Sequence, residues 1–469
     1  MDGLECSEIN LSSIIDEDIN FTMRIDSEYF QKIYLDNERL LLKLNAKTIS
    51  NDGLSQILGG KRIPKGCSFS DEGIKYCRAE DNKFNFLDIE SSPCISNELH
   101  IVLKKYTVNY DDILITNVGN GIGDVTINKY KDTVINMTEN CAKVCNYNGI
   151  SPDYIFLYLK SNYGKNQIVR EKVGTAQPKL SLERIRQFLI VDLNDKVQIA
   201  MARIVNRAYD LLQQSVKIFK DAENVLHGYL NVKFDRLDNS SVSIKLLSDS
   251  YLRTGRIDAE YYQVKYDELL EKIKKMDSHK LSNICNIYKD NFIPIDGKIY
   301  KYIELADVDN NGNIGEIEEI LGSELPTRAR RKVEKNQVII SSIEGSLQSC
   351  AMILNDDDNI LCSNGFFVID SQIINSETLL ILFKNPVIQW QLKRGCAGTI
   401  LTALPIDEFY NVKVPIIDKG TQNSIKEKIS KSFELRKESE ELIKKGIRAV
   451  EIAIEKSEDE AIKYLESGS

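Results

Sequence analysis

The chain contains two similar nine-residue segments that are identical at six of their nine positions. Met23-Arg24-Ile25-Asp26-Ser27-Glu28-Tyr29-Phe30-Gln31 returns 232 positions later as Gly255-Arg256-Ile257-Asp258-Ala259-Glu260-Tyr261-Tyr262-Gln263. Weaker echoes follow in the same order: Lys75-Tyr76 with Lys301-Tyr302, Asp112–Thr116 with Gln337–Ser341, and Gly174-Thr175-Ala176 with Gly395-Cys396-Ala397. Solenoid repeats are only about 20–50 residues long. The sequence therefore predicts one large unit that has been duplicated, with pseudo-two-fold symmetry, which suits a target with two different halves.

Each copy ends in a long heptad pattern. The first extends from Asp195 to about Leu230 and places Val197, Met201, Ile204, Ala208, Leu211, Ser215, Ile218, Ala222 and Val225 on one seam, with only Ser215 off-type. The second extends from about Thr421 to Leu465 and is clear at Ile443, Ile447, Val450, Ile454, Ser457, Ala461 and Tyr464. Around Arg436–Glu440 its seam is polar, which predicts a stutter or a partner contact. We expect the two helices to pair antiparallel as a rod with a globular unit at each end.

The segments between these helices mix short β-rich runs with helical patterns. Helices are predicted at Ser27–Leu42, Pro152–Tyr163, Ala259–Lys275 and near Ser376–Phe383. Strands are predicted at Ile74–Arg78, Leu99–Leu103, Ile113–Thr116, Val125–Ile127 and Val134–Asn136, and Gly174–Leu193 is predicted as loop, short helix and strand. The expected fold class is therefore α+β.

Composition limits the class of protein. The 469 residues are 42% hydrophobic and 28% charged, which is ordinary for a soluble protein of two or three domains. No apolar run approaches the 18 residues or so of a membrane span, and Met1 leads into acidic residues, so we expect a cytoplasmic protein without a membrane partner. Ten cysteines without a CxxC pair are expected to be reduced. A net charge of −9 counts against DNA binding unless the basic residues cluster.

Motifs for catalysis are missing or weak. The three histidines, His100, His227 and His279, have no metal-ligand spacing to other residues. Gly119–Asp124 resembles a glycine-rich cofactor loop, but a strand pattern follows it where a helix is required, so a hairpin is favoured. Asn385-Pro386-Val387 lacks the second proline and the aromatic residue of an amino-methyltransferase motif. We expect the chain to catalyse nothing by itself.

Basic clusters occur in both copies. Lys61-Arg62-Ile63-Pro64-Lys65-Gly66 lies in the first, and Arg328-Ala329-Arg330-Arg331-Lys332 in the second. One such cluster is as often a solvated face as a binding surface, but its presence in both copies favours DNA. Arginine suits guanine edges, and asparagine or glutamine suits adenine. The predicted DNA-binding residues are Lys61, Arg62, Lys65, Arg78, Asn117, Asn120, Gln177, Lys179, Arg328, Arg330, Arg331, Lys332, Gln348 and Arg394.

Together these features resemble the specificity subunit of Type I restriction-modification systems. The resemblance rests on Gly60–Gly66, on the Asp112–Thr116 strand followed by Gly119 and Gly123, and above all on Gly174-Thr175-Ala176-Gln177-Pro178-Lys179-Leu180. It implies target recognition domains at residues 1–194 and 232–420, each reading half of a split DNA sequence. Residues 195–231 and 421–466 would be spacer helices that set the unread length. The second copy departs from the pattern, with Gly398-Thr399-Ile400-Leu401 in place of Gln177–Leu180.

The resemblance also implies partners and cofactors. Double-stranded DNA, two methyltransferase subunits and one restriction/translocase subunit would bind this chain, and the methyltransferase would flip out an adenine and methylate it. S-adenosylmethionine, and ATP with Mg²⁺, are expected on those partners, with no cofactor in this chain. Two alternatives remain open. The chain could serve a fused methyltransferase-nuclease, as in Type IIB-like systems, or it could be a protein-binding adaptor, which the acidic charge would suit.

Overall fold

A computed structural model describes residues 8–9, 24–119, 121–174, 178–232, 234, 242–309, 311–315, 317–398 and 402–467. The chain divides into unit 1, formed by Met1–Leu212 and Lys437–Ser469, and unit 2, formed by Gln213–Arg436. Two long helices, α6 (Asp195–Leu230) and α13 (Lys419–Glu455), contribute residues to both units. Helices and strands are mixed within each unit, which confirms the predicted α+β class.

Unit 1 contains two four-stranded sheets and a two-stranded ribbon. The first sheet has the order β2-β9-β6-β7, the second has the order β4-β3-β8-β5, and β1 pairs with β10. The strands are β1 Lys47–Thr48, β2 Gln56–Gly59, β3 Ile74–Cys77, β4 Cys94–Ile95, β5 Thr107–Val108, β6 Ile113–Thr116, β7 Val125–Ile127, β8 Ile135–Met137, β9 Cys141–Cys145 and β10 Leu189–Ile190.

The core of unit 1 forms around one fully buried helix. The helices are α1 Lys32–Lys43, α2 Asn97–Leu103, α3 Pro152–Lys160, α4 Asn162–Arg170, α5 Leu182–Arg186 and the final α14 Glu458–Glu466. Every residue from Tyr154 to Leu159 in α3 is buried, because its apolar residues continue around the whole helix. Met201 of α6 and Val450 of α13 pack into the same core. The long helices are therefore part of the unit 1 core.

Unit 2 repeats this architecture strand for strand. Its sheets have the orders β12-β19-β16-β17 and β14-β13-β18-β15, and β11 pairs with β20. The strands are β11 Ser278–Lys280, β12 Asn286–Tyr288, β13 Ile299–Ile303, β14 Glu318–Leu321, β15 Ala329–Lys332, β16 Val338–Ser341, β17 Cys350–Met352, β18 Ile360–Ser363, β19 Phe366–Asp370 and β20 Lys413–Pro415. The helices are α7 Tyr251–Thr254, α8 Val264–Lys274, α9 Leu281–Ile284, α10 Ser376–Lys384, α11 Pro386–Gly395 and α12 Ile406–Asn411.

Strand registers show that the two units are copies of one fold. Each unit has one parallel pair, in which Lys75 faces Ile135 and Lys301 faces Ile360. The hairpin that follows places Ile113 opposite Ile127 in unit 1, and Val338 opposite Met352 in unit 2. The duplication predicted from the repeated segment is confirmed at the level of sheet order and register.

The polar stretch in the second heptad seam is a contact within the chain. In unit 1, Ser439 Oγ donates to the carbonyl of Ala208 at 2.7 Å. In unit 2, the hydroxyls of Ser215 and Ser432 lie 2.9 Å apart. Arg436, only 6% exposed, forms an ion pair with the buried Asp309 of the same unit. Two residues of the polar stretch, Arg436 and Ser439, thus have partners within their own units.

Two predicted elements differ from the structure because serine side chains cap helices there. The predicted strand Leu99–Leu103 is helical, since Ser96 accepts a hydrogen bond from the Leu99 amide at 3.2 Å and starts α2. The predicted helix Pro152–Tyr163 ends at Lys160, since Ser161 caps α4 by accepting from the Gly164 amide. In both places a local cap decides the element where side-chain periodicity does not.

The last predicted helix is also divided by a serine. Ser457 is extended, with φ −161° and ψ 158°, and separates α13 from α14. Its Oγ accepts from the Glu460 amide at 3.3 Å, and the Glu458 carboxylate accepts from the Asn194 amide at 3.2 Å. The acidic first turn of α14 suits the positive end of a helix.

Replacing Ser457 with alanine should weaken α14 locally. Loss of an N-cap costs about 1 kcal/mol, so amide exchange in 458–466 should become about fivefold faster. Hydrogen-exchange mass spectrometry of the full chain measures this, and Ser457→Asp, which retains a capping oxygen, is the matched control. Equal exchange in the alanine variant and the wild-type chain would show that the cap does not hold this helix.

Candidate nucleic-acid interface

One turn in unit 1 connects several of the predicted DNA-binding residues. The turn, residues 138–140, lies between β8 and β9, and its Thr138 amide donates to the Cys77 carbonyl at 3.0 Å. Immediately before the turn, the Met137 carbonyl accepts from the Lys61 amide at 3.1 Å. A Cβ on Gly60 would overlap the Thr138 carbonyl, so only glycine permits this approach. Lys61 and Arg78, far apart in sequence, are thus fixed beside the same turn.

The same turn holds the segment that follows β6. The Asn140 carbonyl accepts from the Asn117 amide at 2.9 Å, and the Asn117 carbonyl accepts from the Leu180 amide at 3.0 Å. Asn117 is 8% exposed, and its side-chain oxygen has no hydrogen-bond partner among the residues that the structure describes. Lys179, the neighbour of Leu180, is exposed. Unit 1 therefore brings Lys61, Asn117 and Lys179 to one edge.

We call the backbone contacts that the 138–140 turn makes with the loops at Lys61, Arg78 and Asn117 the junction of unit 1. Unit 2 builds the same junction with different side chains. Its turn lies between β18 and β19, where the Asn364 amide donates to the Arg328 carbonyl and the Ser342 amide donates to the Gly365 carbonyl, both at 2.8 Å. The Ser342 carbonyl in turn accepts from the Leu404 amide at 2.7 Å. Arg328, at the start of the basic strand β15, thus takes the place next to the turn.

The predicted basic residues differ in how available their side chains are. Lys61, Lys65, Lys179, Arg328, Lys332 and Gln348 are exposed. Arg62 forms an ion pair with Glu139 of the turn, yet its side chain is 80% exposed. Arg330 donates its Nε to the Thr327 carbonyl at 3.0 Å, and Nε and Nη1 of Arg331 are buried without a described partner.

Two predicted residues are held by their own unit. Arg78 pairs with Asp81 and Glu80 as part of a turn of 3-10 helix. The side chain of Arg394 is 14% exposed, and its Nε donates to the Tyr261 carbonyl at 3.0 Å. The structure does not bring Arg394 to the junction around the turn. Asn120 and Gln177 lie outside the described residues, so their roles stay predictions.

A buried lysine holds the backbone at Gln348. Lys384 Nζ donates to the Gln348 carbonyl at 2.9 Å. Burial lowers the pKa of this lysine, because the protein interior disfavours its charged form. In unit 1, the Cys77 thiol lies below the turn, where a hydrogen bond to Cys141 and burial raise its pKa.

The structure corrects the sequence alignment between the loop after Val173 in unit 1 and the loop after Ala397 in unit 2. Val173 and Lys179 exchange backbone hydrogen bonds of 2.9 and 2.8 Å, and Ala397 and Ala403 do the same at 2.9 and 3.1 Å. The residue that follows has positive φ in both, 102° at Gly174 and 127° at Gly398. Gly398 is therefore the counterpart of Gly174, and the sequence pairing of Gly174 with Gly395 was wrong by three residues.

The glycine-rich segment 119–124 is a hairpin connection, as predicted. Gly123 has φ +93°, its amide donates to the Thr116 carbonyl at 2.8 Å, and a Cβ there would lie 2.6 Å from Ile168. Strand β7 follows directly. Asn385-Pro386 is a helix start, where Asn385 Oδ1 accepts from the Val387 amide at 2.9 Å and caps α11.

A family comparison identifies this region. Residues 43–214 match the family model described as Type I restriction modification DNA specificity domain. This part of unit 1 is therefore similar to a Type I DNA specificity domain. The match begins at the end of α1 and ends inside α6, so it includes the turn and every strand of unit 1. No curated protein matches the chain.

Solved structures with the specificity-subunit description are also similar. One is the Type-I restriction-modification S subunit from M. genitalium, 14% identical, covering 89% of this chain and 95% of that one, with a TM-score of 0.34. Another is the HsdS subunit from Thermoanaerobacter tengcongensis, 12% identical, covering 88% and 95%, with a TM-score of 0.23. The type IIG restriction endonuclease BpuSI is 11% identical over 39% of this chain and 29% of its own, with a TM-score of 0.30. Scores this low do not establish a shared arrangement.

Within the part of the chain that the structure describes, no three His, Cys, Asp or Glu residues are grouped so that they could hold a metal ion. The helices among those same residues include none with the length and apolar character needed to cross a bilayer. The nine described cysteines are free thiols, and eight of them are buried.

The sequence did not single out the residues of the turn itself. Glu139 and Asn140 make contacts at the unit 1 junction, and Asn364 makes one at the unit 2 junction. Their available signal was weak: each lies in the short polar gap between two apolar strands, a position typical of a turn. Only the pairing of β8 with β3 and of β9 with β6 shows which loops such a turn connects.

Proposed function

We propose that this chain is the non-catalytic recognition subunit of a Type I restriction-modification complex and that it reads a split DNA target. One observation carries the proposal: the sheet order and register of the matched specificity domain occur a second time in unit 2. Two related domains with different side chains at the junction suit two half-sites of different sequence. The Type I DNA specificity domain supplies the class of target.

In DNA interfaces some residues contact phosphates and others contact bases, and the predicted residues can be divided in the same way. Exposed Lys61, Arg62 and Lys65 in unit 1, and Arg328 in unit 2, would contact phosphates. Gln348 is exposed, and a glutamine amide is suited to pair with an adenine edge, where one wrong base costs about 1–3 kcal/mol. Clustering at the two junctions reconciles DNA binding with the net charge of −9.

Partners would supply the chemistry. In this proposal two methyltransferase subunits dock on the chain and bring S-adenosylmethionine, and a restriction/translocase subunit brings ATP and Mg²⁺. The chain itself holds no cofactor and works in the cytoplasm, where its DNA is. Helices α6 and α13 would set the number of unread base pairs between the half-sites. The two helices contact each other within unit 1 at Ser439–Ala208 and within unit 2 at Ser215–Ser432.

A single-molecule methylome of the source cells, with and without this gene, tests the proposal. A split adenine-methylated motif should be present with the gene and absent without it. If methylation does not change and the purified chain binds no duplex DNA, the adaptor alternative is favoured. Cleavage at a fixed distance beside the motif would indicate a fused methyltransferase-nuclease partner in place of a Type I complex.

A further inference from the structure

The repeated segment forms a clamp in unit 2. The guanidinium of Arg256 binds both carboxylate oxygens of Asp258, at 2.8 and 2.6 Å. It also donates to two backbone carbonyls at the C-terminal end of α11, those of Gly395 at 3.0 Å and of the C-cap Cys396 at 2.8 Å. Arg256 therefore ties the segment before α8 to the last turn of a helix about 140 residues later in the chain.

An aromatic ring completes the clamp. Tyr261 lies between two arginines, with the Arg256 guanidinium carbon 4.4 Å and that of Arg394 4.3 Å from the ring centre. Arg394 Nε also donates to the Tyr261 carbonyl at 3.0 Å. Stacking of arginine on an aromatic face is favourable and depends on the ring. This arrangement accounts for the buried position of Arg394.

Unit 1 has the same clamp with the same residue types. Arg24 binds Asp26 through two bonds of 2.6 Å and donates to the carbonyls of Arg170 at 2.7 Å and Lys172 at 3.0 Å. Tyr29 lies between Arg24 and Arg170, whose guanidinium carbons are 4.7 and 4.1 Å from its ring centre. Arg170 Nε donates to the Tyr29 carbonyl at 3.1 Å. The two copies of the segment thus keep one geometry.

In each unit, the clamp arginine binds the carbonyl of the residue that comes directly before a pair of hydrogen-bonded backbone residues. In unit 1 the clamped carbonyl of Lys172 precedes the Val173–Lys179 pair, and in unit 2 that of Cys396 precedes the Ala397–Ala403 pair. We call these two backbone pairs the necks. On its far side each neck is held by the junction, through Leu180 to Asn117 and through Leu404 to Ser342. The clamp fixes the other side of the neck, through the carbonyl that the arginine binds.

We propose that the Arg-x-Asp-x-x-Tyr segment of each unit is a positioning device that fixes its neck, and with it the residues read against DNA. The inference rests on the proposed function for its DNA consequence. Lys179 belongs to the unit 1 neck, so movement of the neck moves a predicted DNA contact. Because each clamp serves its own unit, loss of one clamp should impair the reading of one half-site only.

Amide exchange tests the clamp without DNA. In the full chain, Tyr261→Leu should speed exchange of the Ala397 and Ala403 amides about tenfold, and Val173 and Lys179 should not change. Tyr261→Phe retains the ring and should behave as wild type, and Tyr29→Leu should give the reciprocal pattern. Equal exchange in Tyr261→Leu and wild type, or equal effects of leucine and phenylalanine, would overturn the proposal. If Tyr261→Leu also loses protection at Ile340 in β16, Arg256→Lys replaces it as the test variant.

Binding to DNA tests the consequence. Duplexes carrying the methylome motif, with one half or the other scrambled, are titrated against the same variants. Tyr261→Leu should lose discrimination at one half-site and keep it at the other, and Tyr29→Leu should do the reverse. Loss of the same half by both variants, or of neither, would overturn the positioning role. If the wild-type chain binds no duplex, the proposed function fails, and the exchange experiment still decides whether the clamps fix the necks.

Discussion

Replacing Lys61, Arg62 and Lys65 together with alanine should lower the affinity of the chain for duplex DNA on the order of 10- to 100-fold at about 0.15 M salt. The three side chains are exposed and follow Gly60, whose close approach to the turn fixes where they begin. Each phosphate contact contributes about 0.9 to the slope of log affinity against log salt, so the slope should fall by up to about 2.7. A mixed-sequence duplex suffices, because this contribution does not depend on sequence.

The control removes equal charge elsewhere in unit 1. Lys32, Arg39 and Lys43 are exposed on α1 and have no backbone connection to the turn. Their triple alanine variant should keep the wild-type salt slope. Fluorescence anisotropy between about 50 and 200 mM salt measures both slopes. If the two triple variants lose the same affinity, net charge alone explains the loss and the junction is not the DNA face.

The duplication was the part of the fold that sequence predicted best. A segment of nine residues returned almost unchanged, and the clamp shows why: Arg256, Asp258 and Tyr261 all have partners that few other side chains can replace. Elsewhere the sheets need only apolar side chains at the right register, so the sequences of the two units have diverged. Weak sequence similarity then gives a wrong alignment. Sequence paired Gly174 with Gly395, whereas the residue with the matching positive φ is Gly398.

The site was less predictable than the fold because it depends on contacts between distant loops. Basic composition indicated Lys61 and Arg328 correctly as exposed residues. It also selected Arg394, whose charge is used inside unit 2 on Tyr261 and Asp267. Sequence could not separate these uses, since an arginine that stacks on its own chain and one that meets DNA have the same composition. The order of the strands determines which loops lie beside the turn, and composition does not contain that information.

Lengthening α6 and α13 by one heptad each should lengthen the unread spacer and leave both half-site sequences unchanged. The insertions belong between Leu212 and Gln213 and between Arg436 and Lys437, where the chain passes from one unit to the other. Seven residues add about 10.5 Å of helix. At about 3.4 Å per base pair this corresponds to up to about three additional unread pairs. A methylome of cells that express the variant in place of the wild-type chain reads the spacer directly.

The heptad is the right length for this test because it restores the seam. Ala208 and Leu211 before the insertion, and Ile218 after it, keep the same face when seven residues are added. The hydrogen bonds at Ser439–Ala208 and Ser215–Ser432 each stay within one unit and should survive. Insertion into α6 alone moves these partners out of register and should abolish methylation. An unchanged spacer in the double insertion, or a changed half-site sequence, would show that the helices do not set the distance between the two reading domains.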